Sequence, residues 1–124
     1  MKTLAILDNE KSLLSIFSLM LERKGYRVFT AEDIESCRHI LESEMVDVLI
    51  SEYRLPTQST TEFIRTLKED SKFEGLAVIF LSGYGTQDVV KSALRAGGSE
   101  FLHKPCRIDA ICETIERVAV SPKG

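Results

Sequence analysis

Short apolar runs alternate five times with stretches of helical periodicity, and this alternation constrains the fold more than any other feature of the sequence. The runs are rich in branched and aromatic residues, as β-strands are, and they cover residues 4–7, 26–30, 46–51, 76–82 and 100–103. In the stretches between them, apolar residues recur at intervals of three and four, which predicts helices with one buried face. Because a helix is the usual crossover between parallel strands, we predict an α/β fold with a doubly wound, five-stranded parallel sheet.

The composition of the runs also predicts their places in the sheet. Residues 4–7, 46–50 and 76–81 are almost continuously apolar, as central strands covered on both faces must be. Residues 26–30 and 100–103 are more mixed and suit the edges. Thr60 is expected near the start of the third helix. Asp109 is expected in the first turn of the fifth helix, where a carboxylate interacts favourably with the helix dipole.

Length and charge limit the possible functions. The 124 residues predict one domain, which we place at 1–120, with 121–124 as a polar tail or a cut linker. The formal net charge is −3 and no basic block occurs, so we expect no direct nucleic-acid binding. The longest apolar run, 76–81, is too short to span a bilayer, and the start of the chain does not resemble a signal peptide. Three cysteines without a CxxC pair suit a reducing compartment, so we expect a cytoplasmic protein.

The residues just after the predicted strands carry most of the candidate chemistry. They supply carboxyl groups, an amide, a hydroxyl and an ammonium, from Asp8, Asn9, Glu10, Glu52, Ser82 and Lys104. Ligands of open α/β sheets bind beyond the carboxyl ends of the strands. Converging carboxylates repel each other unless a cation lies between them, so Mg²⁺ is the expected ion. A lysine and a hydroxyl beside such a metal are groups that the oxygens of a phosphoryl group need.

In this order, these residues resemble the receiver domain of bacterial two-component response regulators, over about residues 2–119. The resemblance rests on Asp8-Asn9, Glu52, Leu55-Pro56, Ser82, Phe101 and Lys104-Pro105. It implies a flavodoxin-like (βα)5 fold with strand order 2-1-3-4-5, in which a histidine kinase phosphorylates the carboxylate at residue 52. It further implies that Ser82 and Lys104 contact the phosphoryl group, that Phe101 is an aromatic switch residue, and that the Lys104-Pro105 bond is cis. The implied metal ligands are Asp8, Asn9, Glu52 and the main-chain carbonyl of Arg54.

Two departures from the family pattern fall at the chemistry itself. The acceptor position holds Glu52 instead of Asp, and Asn9 replaces the second acid of the pair. One extra methylene displaces the nucleophile by more than about 1 Å, which can cost on the order of 10²-fold in an in-line transfer. Asn9 removes a negative charge, so Mg²⁺ is expected to bind weakly or not at all. The hypothesis is a non-enzymatic, phosphorylation-independent receiver in which a Glu52–Lys104 ion pair imitates the phosphorylated state.

Partners and alternatives follow from the same resemblance. The partner is expected to be a histidine kinase or an output domain or protein, bound through the fourth helix, fifth strand and fifth helix, where Lys91 and Arg95 lie. The first helix is apolar nearly all round, which suggests a partner surface or a homodimer. One alternative is a conventional Mg²⁺-dependent phosphoacceptor. A second alternative is a small Mg²⁺-dependent phosphatase that uses Asp8. A third is a flavin-binding protein. Ser82 could instead only cap the next turn, and Phe101 could be ordinary core.

Overall fold

A computed structural model describes residues 1–119 as five strands, five α-helices and one short 3-10 turn. The expected tail at 121–124 lies outside the described residues. In chain order the elements are β1 (Thr3–Leu7), α1 (Lys11–Arg23), β2 (Arg27–Ala31), α2 (Ile34–Ser43), β3 (Val48–Glu52), α3 (Thr60–Lys68), the 3-10 turn (Ser71–Phe73), β4 (Ala77–Ser82), α4 (Gln87–Ala96), β5 (Glu100–His103) and α5 (Ile108–Ala119).

The five strands form one parallel sheet in the order β2-β1-β3-β4-β5, as predicted. The two mixed strands, β2 and β5, lie at the edges. The register brings the carboxyl ends of the strands together, because Glu52 pairs with Leu81 and Ser82 pairs with His103. The residues that follow β1, β3, β4 and β5 therefore emerge at one edge of the sheet.

Alternating strand residues supply two hydrophobic cores, one on each face of the sheet. Helices α2, α3 and α4 cover the face that carries Val78 and Phe80. Helices α1 and α5 cover the other face, where Ile79 and Leu81 point. Phe80 and Ile79 are completely buried, so β4 contributes to both cores, as the other interior strands β1 and β3 do. This two-sided cover explains the continuous apolar runs in the sequence.

Local signals set most of the helix ends. The side chains of Asp33, Ser59 and Thr86 each accept a hydrogen bond from a main-chain N–H of the first turn of α2, α3 and α4. Helix α4 ends at Gly97, whose φ of 125° is one that residues with a Cβ rarely adopt. Asp109 lies in the first turn of α5, as predicted.

The structure corrects some details. Strand β3 begins at Val48 rather than at residue 46 and extends to Glu52, because Glu52 still pairs with β4. In α4, Leu94 has the spacing that predicts the buried face of the helix but is exposed, since the smaller Ala93 and Ala96 occupy the face that packs on the sheet. The sequence pattern did not indicate the 3-10 turn between α3 and β4.

Helix α1 keeps an exposed apolar stripe. Ile16, Leu19 and Met20 point to solvent, while Leu14 and Leu21 are buried against the sheet. Among the described residues, no helix is long and apolar enough to cross a membrane.

Candidate functional site

A groove of about 680 Å³ lies at the carboxyl edge of the sheet. Its lining comes from the loops that follow β1, β3, β4 and β5, and consists of Asp8, Asn9, Glu10, Glu52, Arg54, Leu55, Pro56, Gly83, Tyr84 and Lys104. Most of the residues predicted for the site therefore line one groove. Ser82 and Phe101 do not line it.

Asp8 is held at the floor of the groove by the end of β1. Its main-chain N–H donates to the carbonyl of Ala31, which continues the β1–β2 pairing by one residue. Its Oδ1 accepts a hydrogen bond of 3.0 Å from the N–H of Glu10. The residue is 3% exposed, so this carboxylate is fixed and almost fully removed from water. The chain turns at once into α1, so Asn9 and Glu10 remain exposed at the rim.

Glu52 is the last residue of β3 and is 7% exposed. Its Oε2 accepts a hydrogen bond of 2.8 Å from the main-chain N–H of Arg54, so the loop after β3 folds back onto the carboxylate. Its Oε1 accepts a hydrogen bond of 2.7 Å from Lys104 Nζ. Each oxygen of the Glu52 carboxylate thus has its own donor.

Lys104 joins these two carboxylates. It follows β5, and its main-chain N–H donates to the carbonyl of Ser82, which anchors the start of the loop. Its Nζ lies 2.7 Å from Glu52 Oε1, 2.9 Å from Asp8 Oδ2 and 3.8 Å from Glu10 Oε1. Burial alone would lower the pKa of Lys104, but the hydrogen bonds and charges of Glu52 and Asp8 outweigh burial and raise that pKa above its usual value. The ammonium is therefore held in its charged form. The following Lys104-Pro105 bond is cis, as the resemblance implied.

The predicted contact residue Ser82 and the predicted switch residue Phe101 lie outside the groove lining. The hydroxyl of Ser82 is fully buried and accepts a hydrogen bond of 3.1 Å from the N–H of Tyr84, which is the turn-capping arrangement. Phe101 is half-buried and packs against the core of the α2–α4 face, with its ring centroid 6.3 Å from that of Tyr53. In this arrangement Ser82 shapes the loop after β4, and Phe101 contributes to the core.

The donor set fits a divalent cation poorly. Receiver domains in general bind Mg²⁺ at the phosphorylation site. Here the two buried carboxylates have four oxygens, and each oxygen already accepts a hydrogen bond from a main-chain N–H or from Lys104. Within residues 1–119, no cluster of three or more acidic, histidine or cysteine side chains could hold a metal ion.

Two contacts at the site were not predicted from the sequence. The Arg54 guanidinium lies over the ring of Tyr84, 4.8 Å from its centroid, and so connects the loops after β3 and β4 across the groove. Tyr53, next to Glu52, turns away from the groove and packs into the α2–α4 face. An arginine or an aromatic residue in a loop has no sequence signal for such a contact, because the contact depends on how two loops approach each other.

The relationship to known proteins agrees with this geometry. A family model described as the response regulator receiver domain matches residues 4–116. The chain belongs to this family. It is a receiver domain of a two-component response regulator, and domains of this family act in signalling.

Individual curated proteins are also similar to this receiver. The phosphate regulon transcriptional regulatory protein PhoB of Pseudomonas aeruginosa is 27% identical over 104 residues, which cover 84% of this chain and 45% of PhoB. The transcriptional regulatory protein GlrR of Escherichia coli is 29% identical over 113 residues, covering 91% of this chain and 25% of GlrR. The chain thus spans about half, or less, of the length of these relatives.

Among solved structures, a receiver domain protein from Clostridium thermocellum is 27% identical, with a TM-score of 0.85 over 97% of this chain and 95% of that one. The chemotaxis protein CheY4 of Vibrio cholerae has a TM-score of 0.89 over 95% of this chain and 98% of its own. Its identity of 23% supports the flavodoxin-like fold alone. The strand order and the crossover helices of the receiver agree with both.

Proposed function

We propose that this receiver works as a phosphorylation-independent interaction module, in which the ion pair between Glu52 and Lys104 replaces the phosphoryl group. The observation that carries the proposal is the position of Lys104 Nζ, at 2.7 Å from Glu52 Oε1 and 2.9 Å from Asp8 Oδ2. Phosphoryl transfer would need a carboxylate oxygen of Glu52 free to attack and a lysine free to receive the phosphoryl oxygens. Here both groups are already engaged with each other.

The charge of the site supports the same function. A phosphoryl group would bring nearly two negative charges to the lysine, whereas Glu52 brings one. The buried Asp8 supplies the second carboxylate. Lys104 thus lies between two negative charges without any phosphorylation. The Glu52 carboxylate holds the loop after β5 where, in the family, a phosphoryl group on the acceptor residue would hold it.

The same network leads us to propose that Mg²⁺ binds weakly or not at all. A cation at Asp8, Asn9, Glu52 and the carbonyl of Arg54 would have to compete with the ammonium for both carboxylates. Asn9 adds an oxygen without a charge, which contributes less to the affinity for a hard cation than an aspartate does. No turnover of substrate is required by this function, and we propose none.

We propose that residues 1–120 are one receiver domain and that its partner binds the face formed by α4, β5 and α5. The partner would be a histidine kinase or an output domain or protein, and homodimerisation is a further option at the apolar stripe of α1. Lys91, Leu94 and Arg95 are exposed on α4 and give this face a basic and apolar character. PhoB and GlrR are named as transcriptional regulatory proteins, so an output of that kind, in the cytoplasm, is the natural proposal.

Incubation with acetyl phosphate and Mg²⁺, followed by intact mass measurement, tests the function. We expect no stable gain of one phosphoryl group, because Glu52 is paired and displaced. The matched variant is the double substitution Glu52→Asp, Asn9→Asp, which restores the family's acids, and we expect it to gain a phosphoryl group. The Glu52→Gln variant gives the background. A stable phosphoryl group on Glu52 of the unaltered chain would contradict the proposal and favour the conventional phosphoacceptor. Release of inorganic phosphate from an aryl phosphate, lost in Asp8→Asn, would favour the phosphatase.

A further inference from the structure

We propose that Tyr53 is a positioning residue that couples the carboxylate site to helix α4 through a hydrogen bond to Ser92. The inference rests on the proposed function, since it takes the formation of the ion pair between Glu52 and Lys104 as the change that reaches α4. Tyr53 directly follows Glu52 at the end of β3, and its hydroxyl lies 3.2 Å from Ser92 Oγ on α4. This contact links a side chain adjacent to the site with the helix on the proposed partner face.

The ring of Tyr53 is held in place by aromatic neighbours. It packs edge-on against Phe80, with centroids 6.0 Å apart and an interplanar angle of 66°, and it lies 6.3 Å from the ring of Phe101. Phe80 is completely buried and cannot move aside easily. The phenol therefore has little rotational freedom, and its hydroxyl follows the position of its own backbone.

The backbone of Tyr53 is tied to the site on one side and to α3 on the other. Its amide belongs to the same peptide unit as the carbonyl of Glu52, and its own carbonyl accepts a hydrogen bond from the hydroxyl of Thr60 at the start of α3. Releasing the Glu52 side chain from Lys104 loosens the end of β3, since that carboxylate also holds the N–H of Arg54. The displacement then reaches Ser92 through a rigid ring rather than through a flexible loop.

Within residues 1–119, the bond between Tyr53 and Ser92 is the one hydrogen bond that joins an α4 side chain to a residue outside the helix. Ala93 and Ala96 are its buried residues, and small side chains give little interlocking with the strands beneath. The bond between Tyr53 and Ser92 lies near the middle of the helix, one residue before Ala93. One hydrogen bond can therefore set how firmly α4 is seated.

Native-state hydrogen exchange measures this coupling. In Tyr53→Phe, which removes only the hydroxyl, we expect the amides of α4 to exchange about fivefold faster relative to those of β4, a factor that matches the typical net worth of one hydrogen bond. In Glu52→Gln we expect a comparable acceleration of α4 and the loop after β3 relative to β4, in addition to the uniform acceleration that its loss of global stability causes. Combined with Tyr53→Phe, the Glu52→Gln substitution should add no further acceleration of α4 relative to β4, because the tie is already absent. Ser92→Ala should behave as Tyr53→Phe does.

The control is Tyr84→Phe, at an exposed tyrosine that lines the groove and whose hydroxyl makes no hydrogen bond to Ser92 within residues 1–119. In that background Glu52→Gln should still accelerate exchange in α4. Additive effects of Glu52→Gln and Tyr53→Phe on α4, or equal acceleration throughout the sheet, would overturn the inference. This result is separate from the phosphodonor assay, because α4 exchange is measured without a phosphodonor and the assay does not involve Tyr53.

Discussion

Lys104 Nζ and Glu52 Oε1 lie 2.7 Å apart, and this pair joins the loop after β5 to the end of β3 across the intervening strand β4. Asp8 at the end of β1 accepts from the same ammonium. Three strand ends are thus connected through one cation. Both carboxylates are buried and only a fifth of the lysine side chain is exposed, so solvent screens these contacts little.

The first prediction concerns stability. We expect Lys104→Met to lower the free energy of unfolding by about 3–5 kcal/mol, because it leaves two buried carboxylates without their countercharge. Glu52→Gln should cost only about 1–2 kcal/mol, since Lys104 keeps Asp8 and the amide can still accept a hydrogen bond. Urea denaturation followed by circular dichroism measures both. The exposed pair of Arg65 and Glu62 is the control, and Arg65→Ala should cost less than about 1 kcal/mol. Equal losses in all three variants would contradict the central role of Lys104.

The second prediction concerns the pKa of Lys104, which lysine-selective NMR can follow. It should lie above the ordinary value of 10.5, and Glu52→Gln should lower it by removing one of two negative acceptors. A raised pKa means that the folded state binds the proton more tightly. The contribution of Lys104 to stability is therefore complete below pH 10.5 and is lost as the pH rises through the folded-state pKa.

Lys68 provides an internal control in the same spectra. It donates to the main-chain carbonyl of Leu76 instead of to a carboxylate, and burial lowers its pKa. Glu52→Gln should leave that titration unchanged. A Lys104 that titrates below 10.5 in the unaltered chain would show that the pair is not formed in solution.

The third prediction concerns Mg²⁺, titrated while the amides of Asp8 and Arg54 are followed by NMR. Asn9→Asp should tighten binding at least about tenfold, because it adds a carboxylate to those of Asp8, Glu10 and Glu52 that line the groove. The matched control is Gln87→Glu, which adds the same charge on the first turn of α4, outside the groove lining. An unaltered chain that already binds Mg²⁺ as tightly as Asn9→Asp would contradict the poor fit of the donor set.

The fourth prediction concerns the packing beneath Tyr53. A Cβ at Gly98 would lie 2.8 and 2.9 Å from two ring atoms of the fully buried Phe80 and 3.0 Å from the carbonyl of Ala93. Gly98→Ala should therefore cost about 1–3 kcal/mol through overpacking. Gly75→Ala, where a Cβ would meet nothing within 4 Å, should change stability by less than about 0.5 kcal/mol. Thermal or urea unfolding compares the two.

The sequence predicts the fold well because its signals are local and repeated. Strand β5 has the predicted bounds at 100–103, the mixed strands lie at the edges, and α3 begins at Thr60. Leu94 shows where such reasoning fails. It fits the helical spacing, but Ala93 and Ala96 pack closer to the sheet, and periodicity does not measure side-chain size against the space available.

The candidate site was predicted as a set of residues and only in part as a geometry. The convergence of Asp8, Glu52 and Lys104 follows from strand order, which the pattern and the resemblance supply together. Three features of the site depend on rotamers and loop paths. They are the hydrogen bond from Lys104 to Asp8, the buried Ser82 hydroxyl and the hydrogen bond between Tyr53 and Ser92. Spacing in a sequence does not encode these, so only coordinates reveal them.

The stacking of Arg54 on Tyr84 has a consequence for access to the groove. A cation–π contact at an exposed site is worth about 0.5–1 kcal/mol, which corresponds to an opening ratio of only about 2 to 5. The contact between the two loops is therefore open for about a sixth to a third of the time, which slows the entry of a small solute only a few-fold. A delay of this size gives little selection among small solutes, so the carboxylates and the ammonium behind the entrance decide the chemistry of the receiver.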